Sequence, residues 1–212
     1  MTSFDGNMNR RDVLQIAAAS SAASLLVSKS ATAREEASQP LEIVDTNVSL
    51  FHWPFRRLPL DQTAKLVKKL RTLGVTQAWA GSFEAILHRD VAGVNGRLVQ
   101  ECQPYRELVP IGTINPLLPA WEHDLQQCFG KHDMPAVRVY PNYHGYTLQE
   151  PRFVQLLEKV TAAGRFLQLA SMMEDTRTQH VQHQVADVDL EPLVTLLEQV
   201  KKARVQILNW RP

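Results

Sequence analysis

Leu41-Glu42-Ile43-Val44-Asp45-Thr46-Asn47-Val48-Ser49-Leu50, running on into Phe51-His52-Trp53-Pro54-Phe55, is the stretch on which the fold of this chain turns. Leu41, Ile43, Val44 and Val48 make a short apolar, largely β-branched run between Pro40 and Pro54, the pattern of a buried strand. Polar residues crowd the second half of the run, and chemistry usually sits at such an end.

The rest of the chain repeats the same unit. Strand candidates begin near residues 41, 75, 108, 135, 166 and 204. Between them apolar residues recur at helical spacing: Leu66, Val67, Leu70, Leu73; Val91, Val94, Leu98; Trp121, Leu125, Cys128, Phe129; Phe153, Leu156, Leu157, Val160; Leu193, Leu196, Leu197, Val200. Gly74, Gly130 and Gly164 stand where a left-handed C-terminal cap would end a helix. Alternating strands and helices call for a parallel sheet with helices packed outside it.

Asp45-Thr46-Asn47-Val48-Ser49 resembles the opening strand of the metal-dependent amidohydrolase-related family, in which Asp-Thr-His-x-His supplies two histidine ligands. The resemblance implies a TIM-type (β/α) barrel in which a metal-activated hydroxide attacks a C–N or C–O bond. It extends over residues 41–212 in the order of elements. Asn47 and Ser49 occupy the histidine positions, Ala170 to Asp175 at the end of the fifth strand contain no histidine, and Asn209 occupies the end of the sixth. A neutral amide and a hydroxyl are poor ligands for a zinc-type ion, so the metal site is degenerate. No cofactor is expected, and a divalent metal only if the site is rearranged.

A complete barrel has eight strands and typically ~250 residues. Six strands in residues 41–212 predict an incomplete barrel, lacking its C-terminal part, with a doubly wound open sheet as the alternative. In a six-stranded barrel the first and last strands keep a free edge. Self-association or a missing C-terminal segment would cover it.

In either fold the strand C-termini converge on one face, where a small-molecule ligand is expected. Asp45, Arg138 and His144 are the catalytic candidates, as base, electrophilic clamp and acid of a divergent hydrolase. Asn47, Tyr140, Tyr143, Glu174 and Asn209 are the substrate-binding candidates. Each has a structural rival role. Asp45 would equally bond loop amides, and Arg138, inside an apolar strand, would equally form an ion pair with Asp45 or Glu174. The run Tyr140-Pro141-Asn142-Tyr143-His144-Gly145-Tyr146 suits stacking on a ring, or packing over a barrel mouth. His180 and His183 have the spacing of a metal pair on one helical face, without a third ligand nearby. Cys102 and Cys128 are expected as buried thiols. A non-catalytic binding protein, holding its ligand through Asn47, Arg138, Tyr140 and Asn209, is the alternative function.

Composition sets further bounds. The chain has 212 residues, 44% hydrophobic and 21% charged, enough for one sizeable core. Residues 1–33 hold three of the 23 basic and two of the 22 acidic residues, so the remainder is formally neutral and nucleic acid is not an expected partner. Asn9-Arg10-Arg11-Asp12-Val13-Leu14 resembles a twin-arginine export motif; a weakly apolar run and the small-residue cleavage pattern Ala31-Thr32-Ala33 come after it. Residues 1–33 are therefore expected to be a signal peptide directing an exported product, periplasmic or extracytoplasmic, with residues 34–40 a polar linker. The run is too rich in Ala and Ser for the ~20 apolar residues of a stable membrane span. Replacing Arg10 and Arg11 together by Lys is expected to leave uncut precursor in the cytoplasm. Fractionation and the N-terminal sequence of the product check this, and unchanged processing would contradict it.

Overall fold

The structure is a computed structural model that describes residues 42–211, so the predicted signal peptide and linker lie outside the described residues. All six expected strands are present, one of them in two pieces: β1 (Ile43–Leu50), β2 (Val75–Ser82), β3 (Leu108–Pro110), β4 (Gly112–Thr113), β5 (Ala136–Val139), β6 (Phe166–Ala170) and β7 (Val205–Leu208). The helices are α1 (Thr63–Thr72), α2 (Val91–Cys102), α3 (Trp121–Gln126), the single turn α4 (Pro141–His144), α5 (Pro151–Ala162) and α6 (Glu191–Gln199). Among the described residues no helix is long and apolar enough to cross a membrane.

Every strand pairing is parallel, and neighbours follow chain order: β1-β2-β3, then β4-β5-β6-β7. The two runs meet in one segment. β3 pairs with β2 and β4 with β5, while the Ile111 amide between them donates to the Ala80 carbonyl at 2.8 Å. Sequential order settles the choice left open by the sequence. A doubly wound sheet reverses its strand order at a switch point and a barrel does not, so this is an incomplete (β/α) barrel.

The strands alternate as this arrangement demands. Val137, Val139, Leu167 and Leu169 face outward into the main core with Phe153, Leu156, Leu157 and Val160 of α5 and Leu193 and Leu196 of α6. A second cluster joins Val48 and Leu50 of β1 and Ala78 and Ala80 of β2 to Val67 and Leu70 of α1 and Leu98 and Cys102 of α2. The intervening residues, Arg138, Gln168 and Gln206, point inward and are polar.

Helix ends follow local chemistry. Asp90 caps α2 by accepting the Gly93 amide at 2.8 Å, and Pro151 opens α5, where its missing N–H costs nothing. Gly74 and Gly164 take the left-handed conformation expected of them, with φ of 73° and 66°. Gly130 does not. α3 runs into a wide turn over Gln127–Lys131 that contains Gly130, and the left-handed residue beyond it is Asp133. Cys102 and Cys128 are free and buried, and burial pushes both thiols up to about 12.

Phe153 joins α5 to the outer faces of β5 and β6 and is fully buried. Phe153→Ala is expected to destabilise the fold by about 3–5 kcal/mol, measurable as a lower urea midpoint. A change under about 1 kcal/mol would mean that α5 does not carry the core.

Candidate functional site

β1 departs from ideal pairing at its polar residues. Asp45 pairs with Ala78 and Val48 with Ala80, so β1 carries one extra residue across Thr46 and Asn47. A bulge re-aims side chains, and this one lies within the motif that resembles a metal-binding strand. The strand also continues to Leu50, because Val48 and Leu50 are buried against β2 and α1. Asp45 therefore sits near the start of the strand and not at its mouth end. Its Oδ1 accepts the Asn47 amide at 3.0 Å, the local amide-bonding role.

Arg138 organises the interior. It is 1% exposed and lies in register with Thr113 on β4 and Gln168 on β6. Its Nε donates to Gln168 Oε1 at 2.9 Å, and its Nη1 donates to the Val48 carbonyl at 3.1 Å and to Ser49 Oγ at 3.0 Å. Gly81 on β2 makes room for it, since a Cβ there would lie 2.6 Å from Nη1. The network continues: Gln168 Nε2 donates to the Thr46 carbonyl and to Gln206 Oε1, both at 2.8 Å, and Gln206 Nε2 donates to Thr46 Oγ1. The ion pair expected between Arg138 and Asp45 or Glu174 does not form. Asp45 is spent on the bulge, and Glu174 is bound by Arg56 at 2.9 Å.

The mouth above this layer is plugged. Trp53, only 4% exposed, packs with Ile86, Tyr140 and Ala170, and Phe55, Phe83, Tyr143 and Met173 surround them. Phe55, Phe83 and Tyr143 meet the indole edge-on at centroid distances of 5.4, 5.3 and 6.1 Å. The backbone turns sharply where β1 and β7 end, with Phe51 at φ 67° and Asn209 at φ 59°. The asparagine tolerates this readily, whereas for the phenylalanine it is a strained conformation, with the side chain packed against the cluster of β1, β2, α1 and α2.

The tyrosine-rich run divides between layers instead of forming one ligand face. Tyr140 belongs to the plug, Tyr143 to its rim, and Tyr146 to the main core, because Pro141–His144 winds into α4 and Gly145 caps it at φ 75°. Burial, and secondarily the charge of Glu174, pushes the Tyr143 hydroxyl up to about 12. His144 is held between Tyr140 and Tyr146, with Nε2 3.2 Å from the Ala85 carbonyl, so Nε2 carries the proton. Burial lowers it from 6.5 to about 4, and near pH 7 it is neutral. Asp45, Arg138 and His144 each spend their bonds elsewhere and form no common constellation.

The substrate-binding candidates come closer together. A cleft of about 420 Å³ over the ends of β6 and β7 is lined by Arg56, Met172, Met173, Glu174, Asp175, Asn209, Trp210 and Arg211. Asn209 ties its floor: its Oδ1 accepts the Asn47 side-chain amide and its Nδ2 donates to the Met172 carbonyl, both at 2.8 Å. Arg177, with help from Arg211, holds Asp175 well below the usual carboxylate range. Gln168, Gln206 and Trp53 escaped the sequence reading. The inward glutamines on otherwise apolar strands were the available signal.

The donors do not suit a divalent ion. Ser49, at a histidine position, lies against the Arg138 guanidinium, and a second cation there would be repelled at short range in a site shielded from water. His180 and His183 lie in a loop, not on a helix, with His183 5.0 Å from the Phe55 ring. Among the described residues no three His, Cys, Asp or Glu gather as a metal-holding group.

No family model matches the sequence, and no curated protein matches it significantly. Solved structures do resemble it. 5-Carboxyvanillate decarboxylase LigW from Sphingomonas paucimobilis aligns with a TM-score of 0.58 at 11% identity, over 79% of this chain and 66% of that one. Metarhizium anisopliae IDCase in apo form gives 0.60 at 12%, over 79% and 65%. This chain shares their fold. A 5-carboxyvanillate decarboxylase from Novosphingobium aromaticivorans, complexed with manganese and 4-hydroxy-3-methoxy-5-nitrobenzoic acid, gives 0.52 at 11%, over 74% and 55%. The chain spans from 55% to 66% of the length of these three structures. The barrel that the amidohydrolase-related resemblance implied is the fold found, and the named neighbours are decarboxylases, not hydrolases of C–N or C–O bonds.

The position of His144 has a pH consequence. Above about pH 6.5 neither the folded nor the unfolded chain protonates it. As pH falls towards 4 the unfolded chain takes up a proton that the folded chain refuses, so stability drops through that window and levels off below it. The loss amounts to roughly 3 kcal/mol at about 1.4 kcal/mol per pH unit of displacement. Urea unfolding at pH 7 and pH 5 is expected to show a smaller difference in His144→Gln than in wild type; equal differences would contradict the buried neutral imidazole.

Proposed function

We propose that this is an exported barrel protein of amidohydrolase-related type that binds a small polar ligand at its mouth without a divalent metal. The observation that carries the proposal is the bond from Arg138 Nη1 to Ser49 Oγ. A fixed, permanently charged guanidinium lies where the family motif directs a metal ion, and its hydrogen bonds tie it to β1. The ligand would enter by the cleft over β6 and β7. There Arg56 and Arg211 offer exposed cationic ends, Glu174 and Asp175 accept hydrogen bonds, and Trp210 presents a largely exposed ring. Glu174, Asn209 and, through its bond to Asn209, Asn47 are the binding residues retained from the sequence. Export by the twin-arginine pathway is part of the same proposal and rests on Arg10-Arg11 and the weakly apolar run after them.

Hydrolysis through Asp45, Arg138 and His144 is the weaker reading. Its base is bonded at the bulge, its acid is neutral and turned to a carbonyl, and its clamp is sealed beneath Trp53. Decarboxylation, the activity named for the solved neighbours, has no assigned proton donor here.

Protein purified without chelator is expected to carry zinc, manganese or iron far below stoichiometric amounts, measured by plasma mass spectrometry. A stoichiometric metal whose occupancy falls in Asp45→Ala would overturn the metal-free proposal.

A further inference from the structure

The outer shell holds a second cleft, between α2 and α3. It has a volume of about 440 Å³ and shares no lining residue with the cleft over β6 and β7. Ala92, Asn95, Gly96 and Val99 come from α2 at the spacing of one helical face, and Asp124, Gln127 and Cys128 come likewise from α3 and the wide turn after it. Two features open the space. Gly96 presents no side chain, and a Cβ there would meet nothing within 4 Å. The wide turn over Gln127–Lys131 leaves the α-helical path, a local widening that is frequent at functional sites. The floor is fixed: Asn95 Nδ2 donates to the Thr113 carbonyl at 2.9 Å and Asn95 Oδ1 accepts the Thr113 amide at 2.8 Å, which pins α2 to β4.

One buried group in this cleft is unmatched. Asp124 is 8% exposed and lines the cleft, yet its carboxylate takes part in no hydrogen bond or ion pair among the described residues. Three neighbouring carboxylates are matched: Glu122 by Lys159 at 3.0 Å, Asp133 by Arg165 at 2.5 Å, and Asp90 by the Gly93 amide. A buried carboxylate is costly without a donor or an opposite charge, so one left unmatched in a native fold asks for a partner from outside the chain. Burial raises the Asp124 carboxyl above its ordinary value, and the Asp90 carboxylate adds to this against His123. Little positive charge opposes it. His132, half-buried on the same cleft, is lowered from 6.5 by burial and by Lys131 and is neutral near pH 7; Lys131 is exposed and makes no ion pair with Asp124.

We propose that this cleft binds a small organic ammonium ion, with the Asp124 carboxylate as its counter-charge and the facing side of α2 as its apolar wall. Ala92, Gly96, Val99 and Cys128 form that wall. Gln100 and Gln127 line the same cleft and offer side-chain carbonyls for the ammonium hydrogens that Asp124 does not take. An ammonium suits the site better than a divalent metal ion, because one carboxylate balances one positive charge and no three His, Cys, Asp or Glu gather among the described residues. The apolar wall favours an alkyl or aryl body on that ammonium over a bare inorganic cation. The site lies on the flank of the barrel and is independent of the ligand proposed for the mouth.

The test is calorimetric titration of the full chain with n-butylammonium and benzylammonium chloride, at pH 8 to favour the ionised carboxylate while the ligands stay protonated. 1-Pentanol and benzyl alcohol serve as neutral isosteres and sodium chloride as the ionic-strength control. Saturable binding of an ammonium, absent for the alcohols and for sodium, is expected. Asp124→Asn keeps the shape and removes the charge, and is expected to weaken binding about tenfold or more. Gly96→Leu fills the cleft from the facing helix, where a Cβ meets nothing, and is expected to abolish binding while α2 stays folded. n-Butylammonium is expected to raise the melting temperature of wild type and of neither variant. Should Asp124→Asn fail to fold, Gly96→Leu carries the test. No saturable heat with either ammonium, equal heats with the alcohols or with sodium, or unchanged affinity in either variant would overturn the site.

Discussion

A buried guanidinium sets the terms for this fold. Arg138 lies buried within the sheet's interior, and its desolvation is partly offset by bonds to β1 and β6. Those bonds need β1, β5 and β6 at one height, so that Val48, Ser49 and Gln168 meet the same side chain. They also need Gly81, because any larger residue on β2 would occupy the space of the guanidinium. The bulge in β1 belongs to the same requirement: one extra residue turns the Thr46 and Val48 carbonyls towards Gln168 and Arg138.

This network also explains how a barrel with six described strands holds its ends together. β1 is paired with β2 and β7 with β6, and among the described residues neither has a strand on its other side. Side chains bridge the space between them. Gln168 and Gln206 bind Thr46, and Asn47 binds Asn209, so polar groups of β1 that would otherwise be unpaired are satisfied by amide side chains and not by a neighbouring backbone. Interior polarity is thus structural: the neutral side chains that tie the first and last strands belong to the same network as the Arg138 guanidinium.

Outside, the physics is ordinary. Apolar outward faces of the strands pack on α5 and α6 in one cluster and on α1 and α2 in another, and the chain shares its fold with solved structures at 11–12% identity. Such a core needs volume and alternation more than particular residues, so the fold persists while nearly every residue differs. The mouth obeys stricter rules. Asn47 and Ser49 are neutral, and the charge held in the interior beside Ser49 is the Arg138 guanidinium.

Much of the architecture was legible from local pattern. All six strand positions, the five long helical stretches and the caps at Gly74 and Gly164 follow from periodicity and from the conformational freedom of glycine. Arg138 stood out because a charge inside an apolar strand has few explanations. Its partners were not legible, nor was the absorption of Gly130 into a wide turn, the division of the tyrosines between core and plug, or the seat of Trp53 over the mouth. Those outcomes rest on bonds and contacts between residues far apart in the chain, 90 positions for Arg138 and Val48 and 160 for Gln206 and Thr46. The sequence by itself determined which residues face outward, because that depends on a period of two or 3.6 along the chain. Only the tertiary structure decided what the inward polar residues bind, because strand register and the bulge in β1 select one partner from many that composition would allow.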